Sequence, residues 1–282
     1  MRPSIWTGMY AEVPLDEALS RLAECGWRIF EISTEHLCAI DESEAADAEI
    51  ERAVSFASDA DLAMTQGHLH LGADVAHPDL ERRADDVARC ERHIEIASRL
   101  GAKVVVTHPG RGLGYTTADE RRQFLQTNVD AFRRLGDAAA ARGMMVAIEN
   151  MMDNARMAGR RRFGSSTAEL IELLETAKHD ALGICVDTSH ASVQNLDIPA
   201  MIRELGPRVI AVHISDNDGS GDQHRTPGGG RVDWRGVVAA LRDIGFAYDF
   251  NLENPGERHA EADMRKMRVR HALEVTEMLL SW

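Results

Sequence analysis

Residues Val209–Ile214 read VIAVHI, a short run that is apolar at every position except His213. A second run, KVVVTH at Lys103–His108, has three consecutive valines and ends in a histidine. Strands with one face in water alternate apolar and polar residues, whereas apolar residues at consecutive positions are typical of parallel strands covered on both faces. The two runs therefore indicate a parallel sheet covered by helices, and a fold of the α/β class.

Strand-like and helix-like segments alternate along the whole chain. Eight segments have the composition of short buried strands: Ile5–Thr7, Arg28–Ile32, Met64–His68, Lys103–His108, Met145–Glu149, Gly183–Asp187, Val209–His213 and Asp249–Glu253. Eight stretches have the apolar spacing of helices: Leu15–Glu24, Ala45–Ala60, Leu80–Leu100, Ala118–Arg142, Ser166–Ala177, Ile198–Leu205, Trp234–Ile244 and Glu257–Leu280. Eight such units predict a (β/α)8 TIM barrel that forms a single domain over residues 1–282. An open doubly wound sheet is the alternative, but no GxGxxG follows the first strand.

The composition bounds the class of protein. The chain has 282 residues, of which 44% are hydrophobic, so it can bury a core without disulfides or metal. Its 32 Lys and Arg against 46 Asp and Glu give a net charge of −14, which repels phosphate backbones and counts against nucleic acid as a partner. No apolar run of about 18 residues predicts a membrane helix. The N-terminus lacks the apolar stretch of a signal peptide and the four cysteines form no CxxC pair, so we expect a cytoplasmic protein with reduced thiols.

Most of the predicted strands end in a residue that can bind a metal ion or transfer a proton. These strand-end residues are His68 or His70, His108, Glu149, Asp187 with His190 just beyond it, His213, and Glu253. The carboxyl ends of all strands of a TIM barrel converge on one face, which is where its active sites lie. We therefore expect these side chains to form one site.

Four of these residues, Glu149, Asp187, His213 and Glu253, predict a divalent-metal site. Asp and Glu are depleted in strands and are rarely buried without a partner. Three carboxylates in one cavity repel one another, and a cation removes that repulsion. Three carboxylates with one imidazole suit Mn²⁺, Co²⁺ or Mg²⁺, and Zn²⁺ is also compatible.

Other segments are weaker candidates. Asp222 and His224, in the loop after the seventh strand, could join the site as ligands or substrate contacts. The glycine-rich loop 110–114 and the basic stretch 160–162 could hold a phosphate or a substrate carboxylate, although ordinary solvated loops have the same composition. Glu31, near the end of the second strand, could contact substrate.

Taken in order, the segments VAIEN, GICVDTSHA, AVHISDN and NLEN resemble the xylose isomerase-like TIM barrel superfamily. That superfamily contains sugar phosphate isomerases and epimerases, inosose dehydratases and the DNA-repair enzyme endonuclease IV. The resemblance implies a metal ion bound by Glu149, Asp187, His213 and Glu253. By similarity to the ketose 3-epimerases, it also implies that Glu149 and Glu253 are catalytic and exchange protons with the substrate.

The resemblance leaves an alternative with three metal ions. Endonuclease IV binds three zinc ions through nine ligands, and this chain has a match for each: His68 or His70, His108, Glu149, Asp187, His190, His213, Asp222, His224 and Glu253. In that case Arg111, Arg160 and Arg161 would contact the phosphate backbone. The HPG after the fourth strand resembles the nuclease, whereas the net charge and the segment 150–164 favour the isomerase-like members.

We therefore expect a divalent-metal-dependent sugar, keto-sugar or sugar-phosphate isomerase or epimerase that works by proton transfer through a metal-stabilised enediolate. The alternatives are an endonuclease IV-like trinuclear-zinc phosphodiesterase and an inosose or keto-sugar dehydratase. The remaining polar residues of the site would bind substrate or further metal: His68, His70, His108, His190, Asp222 and His224. We expect one metal ion rather than three, no organic cofactor, a small sugar as substrate and a possible homo-oligomer.

Overall fold

A computed structural model describes residues 1–110, 114–153, 159–258 and 261–282. The eight strands in these residues form one parallel sheet in the order β7-β6-β5-β4-β3-β2-β1-β8. Their bounds are β1 Pro3–Trp6, β2 Ile29–Ile32, β3 Ala63–His68, β4 Val104–Thr107, β5 Met145–Glu149, β6 Leu182–Asp187, β7 Val209–His213 and β8 Phe250–Leu252. A bridge between Ile214 and Leu252 joins the two edge strands, with Ile214 N donating to Asn251 O at 2.8 Å. The predicted (β/α)8 barrel is thereby confirmed.

Ten α-helices in the described residues surround the barrel. They are α1 Leu15–Ala23, α2 Thr34–Asp41, α3 Ala46–Asp59, α4 Leu80–Arg99, α5 Ala118–Ala140, α6 Thr167–Ala177, α7 Thr188–Val193, α8 Ile198–Leu205, α9 Trp234–Asp243 and α10 Ala262–Ser281. Eight of them match the predicted stretches. The other two, α2 and α7, were not predicted because they are short and begin directly after strand ends, where no apolar period can develop. None of the helices described is long and apolar enough to span a bilayer.

The interior of the barrel has an apolar side and a polar side. On β4 to β7 it is lined by buried apolar residues: Val104, Val106, Ala147, Cys185, Ile210 and Ala211. On β8, β1, β2 and β3 it is lined by four buried polar residues: Asn251, Ser4, Glu31 and Gln66. We call these four residues the polar layer, because hydrogen bonds between their side chains join β8 to β1, β8 to β2 and β2 to β3.

Candidate functional site

Three adjacent strands, β5, β6 and β7, each have an acidic residue or a histidine as their last residue. These residues are Glu149, Asp187 and His213; the strand register pairs Asp187 with His213, and Glu149 with Cys185, two residues before Asp187. The residue two positions earlier on each strand belongs to the apolar lining of the interior. Because side chains alternate along a strand, the three terminal residues also point inward. They meet at the mouth of the barrel, above its apolar side.

These three residues and Glu253, which follows β8, form what we call the central group. One ligand atom from each of the four lies within 4.8 Å of the other three. His213 Nδ1 is 3.4 Å from Glu149 Oε2 and 3.4 Å from Glu253 Oε2. Ligand atoms bound at 2.0–2.2 Å around one tetrahedral cation lie about 3.4 Å apart. The observed separations therefore suit a shared ion.

Three atoms of the central group are buried and have no hydrogen-bond partner among the described residues: Glu149 Oε2, Asp187 Oδ2 and His213 Nδ1. Buried polar atoms in folded proteins are nearly always hydrogen-bonded, because an unsatisfied one costs about 1–3 kcal/mol. All three are ordinary ligand atoms for a divalent cation, and they face one another. The residues present therefore fit a divalent metal ion.

The charges of the central group affect one another strongly. Burial raises the pKa of Glu149, but His213 and His108 lower it by more, so it lies well below its usual range. The pKa of Asp187 and that of Glu253 are raised, since burial outweighs the attraction of the neighbouring histidines. Asp187 and Glu253 thus tend to keep protons that a bound cation would displace.

His68 and His108 form a first flanking group against Glu149. His68 Nδ1 hydrogen-bonds to the carbonyl oxygen of Leu69 at 2.8 Å, which leaves Nε2 facing Glu149 Oε2 at 3.4 Å. His108 Nε2 lies 3.2 Å from the same carboxylate oxygen. Burial lowers the pKa of His108 to about 4, so its ring is neutral at neutral pH and able to act as a ligand or a hydrogen-bond acceptor.

His190, Asp222 and His224 form a second flanking group on the other side of the mouth. Asp222 Oδ2 lies 3.4 Å from His190 Nε2, and Asp222 Oδ1 lies 3.0 Å from His224 Nε2. Ser189 also donates to Asp222 Oδ1 at 2.7 Å. Burial opposes protonation of His224, but its hydrogen bond to Asp222 raises its pKa to about 10. Histidine nitrogens lie within 3.4 Å of both Asp222 and Glu149, but Asp222 Oδ1 also accepts a hydrogen bond from Ser189, whereas Glu149 Oε2 has no hydrogen-bond partner among the described residues.

The family follows from a comparison with known proteins. The sequence model of the family described as xylose isomerase-like TIM barrel matches residues 19–275. The chain belongs to this family. The resemblance seen in the strand-end segments is thereby confirmed.

Several curated proteins are similar to this chain in sequence. An L-ribulose 3-epimerase of Mesorhizobium japonicum is 21% identical over 271 residues, covering 93% of this chain and 82% of the relative. A probable endonuclease 4 of Oleidesulfovibrio alaskensis is 30% identical over 200 residues, covering 65% of each chain. An uncharacterised protein of Sinorhizobium fredii is 27% identical over 215 residues, covering 73% of this chain. The chain spans only 65% of the length of that protein, and 56% of a related one from Methanocaldococcus jannaschii.

Solved structures show the same barrel. A D-psicose 3-epimerase crystallised in the presence of D-fructose superposes with a TM-score of 0.80 at 18% identity, covering 100% of both chains. An L-ribulose 3-epimerase superposes with a TM-score of 0.82 at 19% identity, covering 99% of this chain and 94% of that one. At these identities the similarity establishes the fold.

His70, which was expected beside His68 or in its place, lies outside the site. Its Nδ1 accepts a hydrogen bond from Gly72 N at 3.0 Å, and its Nε2 lies 3.2 Å from Arg89 Nη1. The strand ends at His68, and the chain beyond it turns the ring of His70 towards α4. Of the two histidines expected to bind substrate or metal, the structure places His68 beside Glu149 and His70 beside Arg89.

Glu31 and the basic stretch also differ from expectation. Glu31 is fully buried in the polar layer, where its carboxylate contacts Gln66, Asn251 and His213. Arg160 donates to Gly114 O and Glu120, and Arg161 pairs with Asp153 at 2.7 Å. Both arginines thus have intramolecular partners. Arg111, the third arginine of the nuclease hypothesis, and most of the glycine-rich loop lie outside the described residues.

Sequence reasoning overlooked Asn150, the last residue of VAIEN. Its Oδ1 accepts from Asp187 N at 2.7 Å, and its Nδ2 donates to Asp187 O at 3.1 Å. Its backbone oxygen lies 2.9 Å from His190 Nδ1. Asn150 thus ties the end of β5 to the end of β6 and orients the second flanking group. An amide directly after a strand-end carboxylate was the available signal.

Proposed function

We propose that this protein is a divalent-metal-dependent isomerase or epimerase of sugars, keto-sugars or sugar phosphates that works by proton transfer. The observation that carries the proposal is the position of Glu149 and Glu253. Their carboxylates come from strands three places apart in the barrel, yet both lie 3.4 Å from the same nitrogen, His213 Nδ1. The two carboxylates therefore bracket one buried point, as an enzyme needs when it removes a proton on one side and returns it on the other.

The central group would hold the metal ion. Its three unsatisfied buried atoms are the natural ligands, together with Glu253. A bound divalent cation would polarise a substrate carbonyl and acidify the neighbouring C–H bond. Glu149 is assigned as the first base, and Glu253 as the residue that returns the proton.

The flanking groups would bind the sugar. The side chains of His108 and Asp222 are 19% and 24% exposed at the mouth, whereas those of Glu149 and His213 are at most 1% exposed. Imidazole and carboxylate groups at such a mouth hydrogen-bond well to the hydroxyl groups of a polyol. The names of similar proteins, L-ribulose 3-epimerase and D-psicose 3-epimerase, support the same class of substrate.

Deuterium exchange tests this proposal. The protein loaded with Mn²⁺ is incubated in D₂O with a panel of ketopentoses and ketohexoses, free and phosphorylated, and the sugars are analysed by NMR and mass spectrometry. We expect deuterium at one carbon next to the carbonyl of at least one sugar, accompanied by an isomer. Metal-loaded protein that exchanges no sugar of the panel would overturn the proposal. Loss of water from an inosose or keto-sugar would instead identify a dehydratase.

A second candidate, a trinuclear phosphodiesterase, is favoured by the two flanking groups. His68 and His108 lie against Glu149, and His190 and His224 lie against Asp222, so each flank offers ligands for a further ion. The probable endonuclease 4 among the relatives supports this candidate. The net charge of −14 counts against it. Cleavage of an abasic duplex, with a strong dependence of affinity on salt, would identify it.

A further inference from the structure

Glu31 lies across the barrel interior from the central group's histidine. Glu31 is on β2 and His213 is on β7, strands that do not pair with each other. Nevertheless Glu31 Oε2 is 3.1 Å from His213 Nε2, and both side chains are 0% exposed. Their contact therefore passes through the interior, beneath the metal-binding atoms.

The other partners of Glu31 determine the direction of this hydrogen bond. Gln66 Nε2 donates to Glu31 Oε2 at 2.6 Å, and Asn251 Nδ2 donates to the same oxygen. Asn251 Oδ1 in turn accepts from Ser4 Oγ at 2.9 Å, an arrangement in which both ends of the amide have a partner. Since two amide groups donate to Glu31 Oε2, this oxygen is an acceptor, and His213 Nε2 must carry the hydrogen that points at it.

The opposite nitrogen of the ring is then free of hydrogen in the neutral imidazole. That nitrogen, His213 Nδ1, is the one that faces Glu149 and Glu253 and has no hydrogen-bond partner among the described residues. Histidines that bind metals commonly donate their other N–H to a carboxylate, which fixes the tautomer and the orientation of the ring.

We infer that Glu31 is a positioning residue that holds His213 in the tautomer protonated at Nε2, so that Nδ1 is presented to the metal ion. The inference rests on the metal site of the proposed function. The polar layer supports this arrangement, since Gln66 and Asn251 donate to the oxygen of Glu31 that faces His213.

Zn²⁺ titration tests the inference without any measurement of activity. The affinity of the metal-free protein for Zn²⁺ is measured by competition with a chromophoric chelator for the wild type, Glu31→Gln and Ser4→Ala. Ser4→Ala is the matched control, because it changes the same polar layer three hydrogen bonds away from His213. We expect Glu31→Gln to weaken binding about 10- to 100-fold and Ser4→Ala to stay within about threefold of the wild type. Equal affinities for the wild type and Glu31→Gln would overturn the inference, and so would equal losses in the two variants.

The tautomer itself is measured in the wild type, so the inference stays testable even when Glu31→Gln does not fold. Long-range ¹H–¹⁵N correlation spectra of ¹⁵N-histidine-labelled, Zn²⁺-loaded protein report which ring nitrogen of each histidine carries hydrogen. The resonances of His213 are assigned by their absence in His213→Gln. We expect hydrogen on Nε2 and a metal-shifted Nδ1, whereas hydrogen on Nδ1 would overturn the inference.

These outcomes are separate from those of the proposed function. Zn²⁺ binding with the expected tautomer but without deuterium exchange into any sugar would reject the proposed function and leave the role of Glu31 intact. Exchange with an unaffected Glu31→Gln would do the reverse. A wild type that binds no metal would reject both.

Discussion

The central group and the second flanking group both combine carboxylates with imidazoles, but they differ in the hydrogen bonds that their polar atoms make. In the central group, Glu149 Oε2, Asp187 Oδ2 and His213 Nδ1 are buried without hydrogen-bond partners among the described residues. Histidine nitrogens lie within 3.4 Å of carboxylates in both groups, but in the second flanking group Asp222 Oδ1 also accepts a hydrogen bond from Ser189. A cluster of carboxylates and imidazoles is therefore a weak sign of a metal site. Ligand atoms that the protein buries and leaves unpaired are a stronger one.

The difference follows from where the residues lie in the fold. Glu149, Asp187 and His213 are the last residues of their strands, and the sheet fixes their backbone at the mouth of the barrel. Asp222 lies in the loop after β7 and its side chain is 24% exposed. We infer that the central group binds the metal and that the second flanking group contacts the substrate.

The largest expected effect is on metal affinity, when a carboxylate of the central group is removed. Asp187→Asn should weaken Mn²⁺ or Zn²⁺ binding by at least about 10³-fold, because it removes a buried anionic ligand. Asp222→Asn, the matched change in the second flanking group, should weaken it by less than about tenfold. Competition titration measures both affinities. Equal losses in the two variants would show that the groups do not differ in the way described.

The next effect concerns the two carboxylates that bracket His213. Glu253→Gln should reduce the rate of proton exchange into the sugar by about 10²- to 10⁴-fold, the usual contribution of a general acid or base. Its effect on the KM for the sugar should be smaller. Glu257→Gln, four residues further along, is the control and should retain the exchange rate. An unchanged rate in Glu253→Gln would remove this residue from the mechanism.

A smaller effect is expected in the first flanking group. His108→Gln should lower kcat/KM for exchange by about 10- to 100-fold through lost contacts with substrate, while the number of bound metal ions stays the same. His70→Gln is the control, since His70 lies outside the site. Elemental analysis of the two variants and the wild type measures the metal content. A loss of one metal ion in His108→Gln would show that the flanking group is itself a metal site.

The smallest effect concerns a buried histidine that is not a ligand. Among the described residues, both ring nitrogens of His93 lack hydrogen-bond partners and the groups that could hold a metal ion do not include His93. Burial lowers the pKa of His93 from 6.5 to about 4. The unfolded chain therefore binds a proton below pH 6.5 that the folded protein does not, and stability falls as the pH falls from 6.5 to 4, by up to about 1.4 kcal/mol per pH unit.

Denaturant unfolding of the metal-free protein between pH 4 and pH 7 measures this slope. His93→Gln should flatten the slope over that window and leave the metal content unchanged. His271→Gln, at an exposed position on α10, is the control and should keep the wild-type slope. A variant without His93 that loses stability as steeply in acid would contradict the assignment.

The fold could be predicted from the sequence because each strand is a short apolar run and each long helix has a regular apolar spacing. The mouth of the barrel could be predicted as well, since the strands end in acidic residues or histidines that a buried strand does not otherwise tolerate. Helices α2 and α7 could not, because they are short and begin within two residues of a strand end, which leaves no separate stretch in which a helical period can show.

Which of His68 and His70 lies in the site could not be predicted from the sequence either. The two residues have the same parity on an extended strand, and the strand ends at His68, so the direction of His70 depends on the following turn. Glu31 was placed on the correct strand, but its depth in the barrel and its partners from β3, β7 and β8 depend on the closure of the sheet. Contacts across the barrel between distant segments leave no local pattern.

The most direct test of the central claim is the number of metal ions per chain, measured by elemental analysis on protein purified without added metal or chelator. The account predicts about one divalent ion, lost in Asp187→Asn and retained in Asp222→Asn. About three zinc ions per chain would contradict it, because the flanking groups would then be metal sites and the phosphodiesterase would become the better description.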